Sequence, residues 1–342
     1  MADYALAGAG WISAVHGLAI AAQRDSRVVA VASRTRQTAD ARAVEVGGVV
    51  VPYDQLPAGA DIVIVATPPR RHAVDALRAM AAGAATVVEK PLCATLDDAD
   101  RLVRVVEAGG MLTYAENLLF AEAPSRALSE IATLGTLTHL SARAMQPRPT
   151  WGSFTERSWG GGVLFDLGVH PLALVLRAAR SARPVAVSAA FERSDDIEVE
   201  DRASVQLRFD NGLVAQVEVS WRESDTIWDL QAASESGVVV LELLPELSLE
   251  RGGEPIELPP PPVDVEYPPQ LDQFGYVEQL RDAEASAKVG RSSAISDVYL
   301  GRDLLEIVCA ASMSAARSSI EIPLPYTGPR DKTPIELWDP QD

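Results

Sequence analysis

Three side chains in this sequence are of the types that move a proton and stabilise charge on an oxygen. Lys90 lies in the segment Glu89-Lys90-Pro91, and Asp166 and His170 stand four positions apart, after three consecutive glycines. An imidazole beside a carboxylate can act as a general base, because the carboxylate fixes the orientation and tautomer of the ring. A lysine ammonium can stabilise an oxygen on which negative charge develops. Oxidation of an alcohol needs these groups, so all three are candidate catalytic residues.

The spacing of Asp166 and His170 predicts that one helical turn places them on the same face. The glycines at 160–162 just before them permit unusual backbone angles and close approach of a ligand. A lone histidine in an apolar helix is more often structural, and this alternative stays open. The glycine run, the nearby carboxylate and a cofactor-binding pattern at the start of the chain together favour a catalytic role for His170.

The chain begins with a pattern typical of a dinucleotide-binding turn. A short apolar strand is predicted over 3–7, and Gly8-Ala9-Gly10-Trp11-Ile12-Ser13 then leads into an Ala-rich helix over 13–23. The first glycine permits a tight turn, and the second lets a pyrophosphate approach the helix N-terminus. The two glycines and the Trp-Ile pair after them are therefore predicted cofactor contacts. The serine in place of a third glycine makes the fingerprint imperfect, and a turn that binds nothing is the alternative.

The end of the second predicted strand, 28–32, bears on the kind of cofactor. The sequence there reads Ser33-Arg34-Thr35-Arg36, where NAD-specific folds place an acid that binds the ribose 2′-hydroxyl. A hydroxyl followed by guanidinium groups instead accepts a 2′-phosphate. The pattern favours NADP(H) over NAD(H), with Ser33 and Arg34 as cofactor-binding residues, and weighs against flavin. The alternative is that both arginines are only solvated at a helix entrance.

Strands and helices continue to alternate up to residue 120, which predicts a doubly wound parallel sheet of Rossmann type. Thr67-Pro68 follows one predicted strand and Glu89-Lys90 follows the next. Residues at the carboxyl ends of parallel strands line the ligand crevice, so these four are expected to contact the cofactor. Residues 1–120 are therefore predicted to form an NAD(P)-binding domain. Its later strands are expected over 61–66, 85–88 and 111–114, with helices over 71–82 and 97–108.

The pattern changes after residue 120, where short strands follow one another. Asp210-Asn211-Gly212 is a strong hairpin signal between two of them. This predicts a second domain of α+β type over 121–342, with an open, mainly antiparallel or mixed sheet. Its strands are expected over 137–145, 185–193, 203–209, 213–221, 230–234, 238–243, 247–251 and 320–323. The Pro-rich stretch 255–269 is predicted to be an extended connector between the sheet and the C-terminal helices.

Length and charge exclude several classes of protein. A chain of 342 residues with 47% hydrophobic residues can build two cores. The net charge of −18 argues against nucleic acids and anionic membranes as partners. Cys93 and Cys309 lie far apart in apolar contexts, so neither a disulfide framework nor a metal site is expected. With no signal peptide and no apolar run long enough for a bilayer, a cytoplasmic location is expected.

Together these motifs resemble the Gfo/Idh/MocA family, which includes glucose-fructose oxidoreductase and inositol dehydrogenase. The motifs are Gly8-x-Gly10-x-x-Ser13-x-x-His16, Thr67-Pro68, Glu89-Lys90-Pro91-Leu92, and the three glycines with Asp166-x-x-x-His170, and the resemblance covers nearly the whole chain. It implies a homodimer or homotetramer formed through the sheet of the second domain. It also implies that Lys90 lies near the nicotinamide, that Asp166 orients the substrate and that His170 accepts its proton.

Two departures from the family pattern fall where substrate could be contacted. No acid follows the catalytic histidine within Pro171-Leu172-Ala173, and Tyr114-Ala115-Glu116-Asn117 stands where many relatives carry an arginine. Glu116 and Asn117 are candidate substrate ligands, and capping or hydrogen bonding in a hinge is the alternative for both. The segment 151–159, with Trp159, is a candidate substrate wall, because aromatic faces stack on sugar C–H surfaces. His16, His72 and His139 are interpreted as structural.

These observations predict an NADP(H)-dependent oxidoreductase that acts on a secondary hydroxyl or ketone of a sugar, cyclitol or related polyol. Asp166 and His170 would also contact that substrate. Two alternatives remain open on the same fold. One is a non-catalytic nucleotide-binding regulator, and the other is a redox-cycling lyase or hydrolase with tightly held NAD(P).

Overall fold

The computed structural model describes residues 2–150, 152–259, 271 and 273–340. Within them the chain divides into two compact units, one from residues up to 121 and from 260–302, the other from 122–259 and 303–342. Sequence analysis placed one boundary near residue 120, whereas the structure groups the stretch 273–302 with the first unit. The physical reason is that apolar side chains there, Val277, Leu280 and Ala283, join the same hydrophobic core as the first strands.

The first unit contains a six-stranded parallel sheet in the order β3-β2-β1-β4-β5-β6. This is the predicted doubly wound Rossmann arrangement. The central strands are buried on both faces because helices cover the sheet on each side. The strands are β1 (Ala2–Ala7), β2 (Ser26–Ala32), β3 (Val49–Val50), β4 (Ile62–Val65), β5 (Ala85–Glu89) and β6 (Leu112–Ala115).

Some helices begin at recognisable caps. Thr35 and Thr95 each accept a hydrogen bond from a backbone N–H three residues further on, and Pro69 occupies the first turn of its helix. The helices are α1 (Trp11–Ala21), α2 (Arg36–Val46), α3 (Pro69–Ala81), α4 (Leu96–Glu107), α5 (Glu122–Ala132), α6 (Val163–Asp166), α7 (Val169–Ala178), α8 (Tyr276–Lys288), α9 (Val298–Ala316) and α10 (Pro334–Trp338). Short 3-10 turns occupy Tyr53–Gln55, Asn117–Phe120 and Arg157–Trp159. Helix α8 packs against α1 in the first unit.

The second unit contains a nine-stranded sheet in the order β14-β13-β12-β11-β7-β10-β9-β8-β15. Only the pairing of β7 with β10 is parallel among the described pairs, so the sheet is mixed and mainly antiparallel, as predicted. Helices α5 and α7 pack on it. The strands are β7 (Leu137–Pro147), β8 (Pro184–Glu192), β9 (Arg202–Phe209), β10 (Val214–Ser220), β11 (Arg222–Ser234), β12 (Gly237–Leu244), β13 (Ser248–Arg251), β14 (Glu254–Pro255) and β15 (Ile322–Pro323).

The hairpin predicted at Asp210-Asn211-Gly212 joins β9 to β10. Gly212 has a φ of +86° and its N–H donates to the carbonyl of Phe209 at 3.0 Å, which closes the turn. Most of the Pro-rich connector, from residue 260 onward, and Trp151 lie outside the described residues. In the part of the chain that is described, no single helix has the length and apolar character needed to cross a bilayer. One bent pair of segments, 157–166 and 169–178 with 41° between them, meets that test by length and composition only.

Candidate functional site

The glycine turn after β1 is built around two glycines with opposite surroundings. Gly8 has a φ of +118°, and a Cβ there would lie 2.2 Å from the carbonyl oxygen of Ala66, which directly follows the neighbouring strand β4. Gly10 is exposed at the N-cap of α1, and a Cβ there would meet no atom within 4 Å. The turn is therefore tightly packed on its sheet side and open at the helix N-terminus. An open helix N-terminus fits a pyrophosphate.

The third position of the glycine motif is occupied by a serine that completes the turn. Ser13 is fully buried and its Oγ donates to the carbonyl of Gly10 at 2.6 Å. Sequence analysis missed a second contact to the same residue, from the Arg42 guanidinium to the Gly10 carbonyl at 3.0 Å. That arginine lies on α2, and the sequence offers no signal that it folds back onto the turn. Trp11 is 59% exposed and Ile12 is half-buried, so both predicted cofactor residues reach the surface.

The two arginines after β2 have different environments. Arg36 forms an ion pair with Asp40 one turn along α2, at 2.8 Å. Arg34 is exposed and forms no ion pair with any residue that the structure describes. Ser33 Oγ lies 2.7 Å from Thr38 Oγ1, at the entrance of the same helix. Of the two guanidinium groups that sequence analysis considered, Arg34 is thus the one available to a phosphate.

Buried His72 connects the loops that follow β4 and β5. Its Nδ1 lies 2.9 Å from the carbonyl oxygen of Pro91, and its Nε2 lies 2.5 Å from that of Thr67. Burial lowers the pKa of His72, which favours the neutral ring, in which one nitrogen donates. The Thr67 hydroxyl donates to Asp75 at 3.0 Å. The Thr67 side chain is therefore held by α3, and the ring of His72, which sequence analysis interpreted as structural, lies between two loops expected to contact the cofactor and donates to one of the two carbonyls.

Glu89 ends β5 with both carboxylate oxygens engaged inside the first unit. Oε1 lies 2.7 Å from Nε2 of His16, and Oε2 accepts the backbone N–H of Lys90 at 3.0 Å. Burial opposes its charge, yet the hydrogen bond and charge of His16 outweigh burial and lower the pKa of Glu89. The Tyr276 ring packs edge-on against His16 with centroids 6.1 Å apart. Sequence analysis missed the contacts of His16 with Glu89 and Tyr276, although the spacing of the motif places that histidine in the second turn of α1.

Two further candidate residues follow β6. Glu116 is fully buried, and Asn117 donates its side-chain N–H to the carbonyl of Phe274 at 2.7 Å. This bond is of the kind that sequence analysis left open as the alternative to substrate binding. Burial raises the pKa of Tyr276, and the charges of Glu89 and Glu116 add to this effect, so both carboxylates lie near that phenol. Contact of substrate with Glu116 or Asn117 stays a prediction.

The glycines at 160–162 form a loop that only glycine can follow. Gly160 has a φ of +113°, and a Cβ on Gly162 would lie 2.0 Å from the carbonyl oxygen of Glu200. The carbonyl of Gly160 accepts the backbone N–H of Ile335, at the start of α10. The loop thus contacts Glu200, between β8 and β9, on one side and α10 on the other.

Asp166 and His170 lie on two short helices with a bend between them, and not on the continuous helix that sequence analysis considered. Asp166 ends α6 and His170 lies in the first turn of α7, and both are buried, with 8% and 6% exposure. The break between the helices covers Leu167 and Gly168, and a Cβ on Gly168 would lie 2.6 Å from the carbonyl oxygen of Leu164. A larger residue could not pack there without a shift of its neighbours.

Aromatic side chains lie near this segment. The rings of His170 and Trp228, on β11, have centroids 5.6 Å apart and an interplanar angle of 31°. Trp159 is half-buried and packs on Phe154 with centroids 4.6 Å apart, while its indole N–H has no partner among the described residues. The structure therefore places the candidate base against an aromatic face that sequence analysis missed, since β11 gives no signal of this contact.

The candidate residues fall in both units of the chain. The glycine turn, Ser33, Arg34, Thr67, Glu89 and Lys90 belong to the first, and Trp159, Asp166 and His170 belong to the second. The described residues contain no group of three or more His, Cys, Asp or Glu side chains that could hold a metal ion. In the first unit the residues fit a dinucleotide, and in the second a buried carboxylate and imidazole follow a glycine loop.

Known proteins resemble this chain over both units. Residues 2–116 match the family model described as "Oxidoreductase family, NAD-binding Rossmann fold", and residues 126–235 match the Gfo/Idh/MocA C-terminal domain. A dTDP-3,4-didehydro-2,6-dideoxy-alpha-D-glucose 3-reductase of Streptomyces violaceoruber is 35% identical over 164 residues. That match covers 46% of this chain and 48% of the relative, so the chain spans about half of its length.

Solved structures share the fold. GenD2 from gentamicin A biosynthesis, in complex with NAD, has a TM-score of 0.82 at 24% identity and covers 94% of this chain and 96% of its own. Levoglucosan dehydrogenase, in complex with NADH and L-sorbose, has a TM-score of 0.82 at 20% identity, covering 95% and 99%. With the two family models matched in order along the chain, the protein belongs to the Gfo/Idh/MocA family of oxidoreductases with an NAD-binding Rossmann fold.

Proposed function

We propose that this protein is an NADP(H)-dependent oxidoreductase that transfers a hydride between nicotinamide and a secondary hydroxyl or ketone of a sugar, cyclitol or related polyol. The observation that carries the proposal is the buried pair Asp166 and His170 behind its glycine loop, in a chain that also has an open dinucleotide-binding turn. An alcohol cannot lose hydride unless its hydroxyl proton is accepted, and this pair supplies a base of the required kind.

The proposed roles follow from the chemistry of each side chain. His170 accepts the hydroxyl proton during oxidation and returns it during reduction. Asp166 orients the substrate, and Lys90 stabilises the oxygen as negative charge develops on it. The cofactor, when bound, supplies or accepts the hydride. The Trp228 ring against His170 limits the orientations of the imidazole, which supports a positioned base.

The preference for NADP(H) is proposed from the end of β2. The strand ends in Ser33 and not in an acid, and Arg34 is exposed at the same place. A guanidinium without an ion-pair partner among the described residues can bind a 2′-phosphate bidentately. The relatives solved with NAD or NADH share the fold at identities of 24% and 20%, which leaves the residues at this position to decide the preference.

A polyol substrate is supported by what the relatives are named for. The name of the relative from Streptomyces violaceoruber describes a reductase of a deoxysugar nucleotide, and levoglucosan dehydrogenase was solved with L-sorbose. Trp159 and Phe154 offer aromatic faces on the loop before the glycines, and such faces stack on sugar C–H surfaces. Trp159 is therefore proposed as a substrate contact.

The test is a panel of polyols, aldoses and their keto forms, assayed in both directions with NADP(H) and with NAD(H). Stoichiometric formation of NADPH with at least one polyol supports the proposal. Turnover of a substrate without net change in cofactor would instead identify a redox-cycling lyase or hydrolase. Tight cofactor binding with no turnover of any compound would identify a nucleotide-binding regulator and overturn the proposal.

We also propose that the protein forms a homodimer or homotetramer through the nine-stranded sheet and works in the cytoplasm. Alternate residues on the sheet are polar and partly exposed, as in the ion pair of Arg143 with Asp229, and a second copy would bury such a face. Cys93 and Cys309 are buried and form no disulfide among the described residues, which suits a reducing compartment. Light scattering of the purified protein tests the first point, since a monomer at micromolar concentration would contradict it.

A further inference from the structure

A buried carboxylate that no part of the proposed chemistry uses lies against the glycine loop. Glu200, between β8 and β9, is 2% exposed. Both of its carboxylate oxygens accept the N–H of Gly162 at 3.0 Å, and Oε1 also accepts the N–H of Leu164 at 3.3 Å. Its backbone carbonyl accepts the N–H of Val163 at 2.9 Å. Three consecutive backbone N–H groups of the loop therefore end on one residue.

These N–H groups are the donors that the start of α6 leaves without helical partners. A helix of four residues is too short to hold itself, because the cost of nucleating a turn is not recovered over so few bonds. The direction of α6 must therefore come from outside, and Glu200 satisfies its first donors. Gly162 is what permits this approach, since a Cβ on it would lie 2.7 Å from Oε2 of Glu200.

The same loop residues hold the segment of Asp166 and His170 through a chain of backbone hydrogen bonds. The carbonyl of Gly162 accepts the N–H of Asp166 at 2.9 Å. The carbonyl of Val163 accepts the N–H groups of Leu167 and Gly168, at 2.8 and 2.9 Å, and Leu167 in turn accepts the N–H of His170. Any shift of the loop away from Glu200 is thus transmitted to both candidate catalytic residues.

The carboxylate next in sequence has a different set of partners. Asp201 is fully buried and binds Arg222 at 2.6 Å and Ser194, with Arg148 3.6 Å away. Its charge is neutralised by guanidinium groups, whereas the described contacts of the Glu200 carboxylate are to backbone N–H groups. The two adjacent acids therefore have different roles: Asp201 pairs with guanidinium groups, and Glu200 accepts backbone N–H groups of the glycine loop.

We propose that Glu200 is a positioning residue for the reaction, which holds Asp166 and His170 in place through the backbone of Gly162, Val163 and Leu164. The proposal rests on the proposed function, since it assigns catalysis to the residues that are held. The charged form is the one that does this, because a carboxylate accepts hydrogen bonds with both oxygens and a carboxylic acid turns one into a donor. Burial raises the pKa of Glu200 to about 7, so ionisation falls near neutral pH.

The experiment compares Glu200→Gln with Glu198→Gln. Glu198 accepts the N–H of Arg157 at 2.8 Å from an exposed position, so the control makes the same substitution at a nearby contact to the chain before the loop. Hydrogen exchange of the amides in 162–170 and steady-state kinetics with a polyol are measured in both variants and in wild type. For Glu200→Gln we expect amide exchange at least tenfold faster and kcat at least tenfold lower, with KM for the cofactor within twofold. The control should match wild type.

The exchange measurement separates failure of this inference from failure of the proposed function. If wild type turns over no polyol, the function is wrong, while faster exchange still supports the hold on the loop. Unchanged exchange and a kcat within twofold of wild type in Glu200→Gln would overturn the inference. If that variant does not fold, Glu200→Asp replaces it. This variant keeps the charge but has one methylene fewer, so it should give the same loosening to a smaller degree, and wild-type exchange and kcat in it would also overturn the inference.

Discussion

The Nε2 atom of His16 lies 2.7 Å from Oε1 of Glu89, with both side chains buried in the first unit. The second oxygen of Glu89 accepts the backbone N–H of Lys90. A helix that starts at the dinucleotide turn is thereby tied to the residue before the candidate catalytic lysine. The pair explains why a carboxylate can stay charged in this interior, since His16 lowers the pKa of Glu89 against the opposing effect of burial.

We expect His16→Ala to lower the free energy of unfolding by about 3–5 kcal/mol, because it leaves Glu89 buried without its partner. The pKa of Glu89 is lowered from 4.5, so its pairing stabilises the protein above that pH and is lost as pH falls through the folded value. The gap between variant and wild type should therefore narrow in acid. Urea unfolding at several pH values measures it. His139→Ala, an exposed histidine, is the control, and equal stability of both variants would contradict the prediction.

The two glycines of the first turn make a matched pair. Gly8→Ala should destabilise the protein by roughly 2–4 kcal/mol, because its φ is positive and the added Cβ would meet a backbone oxygen at 2.2 Å. Gly10→Ala meets open space, so its stability should stay within about 1 kcal/mol of wild type. Its cofactor affinity should fall, because the methyl group occupies the approach to the helix N-terminus. Thermal unfolding and cofactor titration separate the two effects, and equal loss of stability in both variants would disprove this account.

Replacement of the candidate catalytic groups should reduce turnover while cofactor binding is kept. We expect His170→Ala to lower kcat by about 10²–10⁴, the usual contribution of a general base. Lys90→Ala should lower kcat at least tenfold through loss of charge stabilisation. Stopped-flow turnover and fluorescence titration with NADPH are the measurements. Near-wild-type turnover in both variants would remove the catalytic assignment.

The sequence was sufficient to predict features that depend on a local pattern of residues. Alternating strands and helices predicted the parallel sheet, and Asp210-Asn211-Gly212 predicted the hairpin between β9 and β10. Periodicity could not show that the helix breaks at 167–168, between Asp166 and His170, because the apolar pattern continues through the break. Nor could it pair Glu200 with the glycine loop, which lies 38 residues earlier in the chain. Contacts between residues far apart in sequence carry no local signal.

The boundary of the first unit shows the same limit. Helix α8 has an ordinary amphipathic pattern that fits either unit. Its assignment depends on where Val277 and Leu280 find apolar partners, and they find them in the core of the first sheet. The return of the chain to the first unit depends on contacts between residues far apart in sequence. Sequence analysis therefore assigned this helix to the second domain, 121–342.

The cofactor preference can be tested at a pair of arginines. Arg34→Ala should weaken NADPH binding about tenfold or more and leave NADH binding within twofold, because a bidentate guanidinium–phosphate contact is lost. Arg36→Ala should change neither affinity by more than twofold, since Arg36 is paired with Asp40. Isothermal titration of wild type and both variants with each cofactor gives the six dissociation constants. A wild-type preference for NADH, or equal effects of both substitutions, would refute the phosphate contact.

The raised pKa of Glu200 predicts a pH dependence of both stability and activity. Burial raises this pKa to about 7, and the charge of Asp201 adds to the effect, while the N–H groups of Gly162 and Leu164 oppose it. Among the described contacts, the nearby guanidinium groups Arg222 and Arg148 bind Asp201. The folded protein therefore holds a proton here that the unfolded chain has released above its ordinary value of 4.5.

Stability contributed by this site is thus present below pH 4.5 and is lost as pH rises through about 7. The loss amounts to about 3 kcal/mol at most. Glu200→Gln cannot ionise, so its unfolding free energy should decline less than that of wild type between pH 5 and pH 8, by roughly that amount. Activity should run the opposite way, because the ionised form holds the loop, and the rise in wild-type kcat through about pH 7 should flatten in the variant. Chemical unfolding and pH–rate profiles of the two proteins measure both effects. Parallel pH curves of wild type and Glu200→Gln would show that this carboxyl does not ionise between pH 5 and pH 8. They would also show that it does not set the geometry of Asp166 and His170.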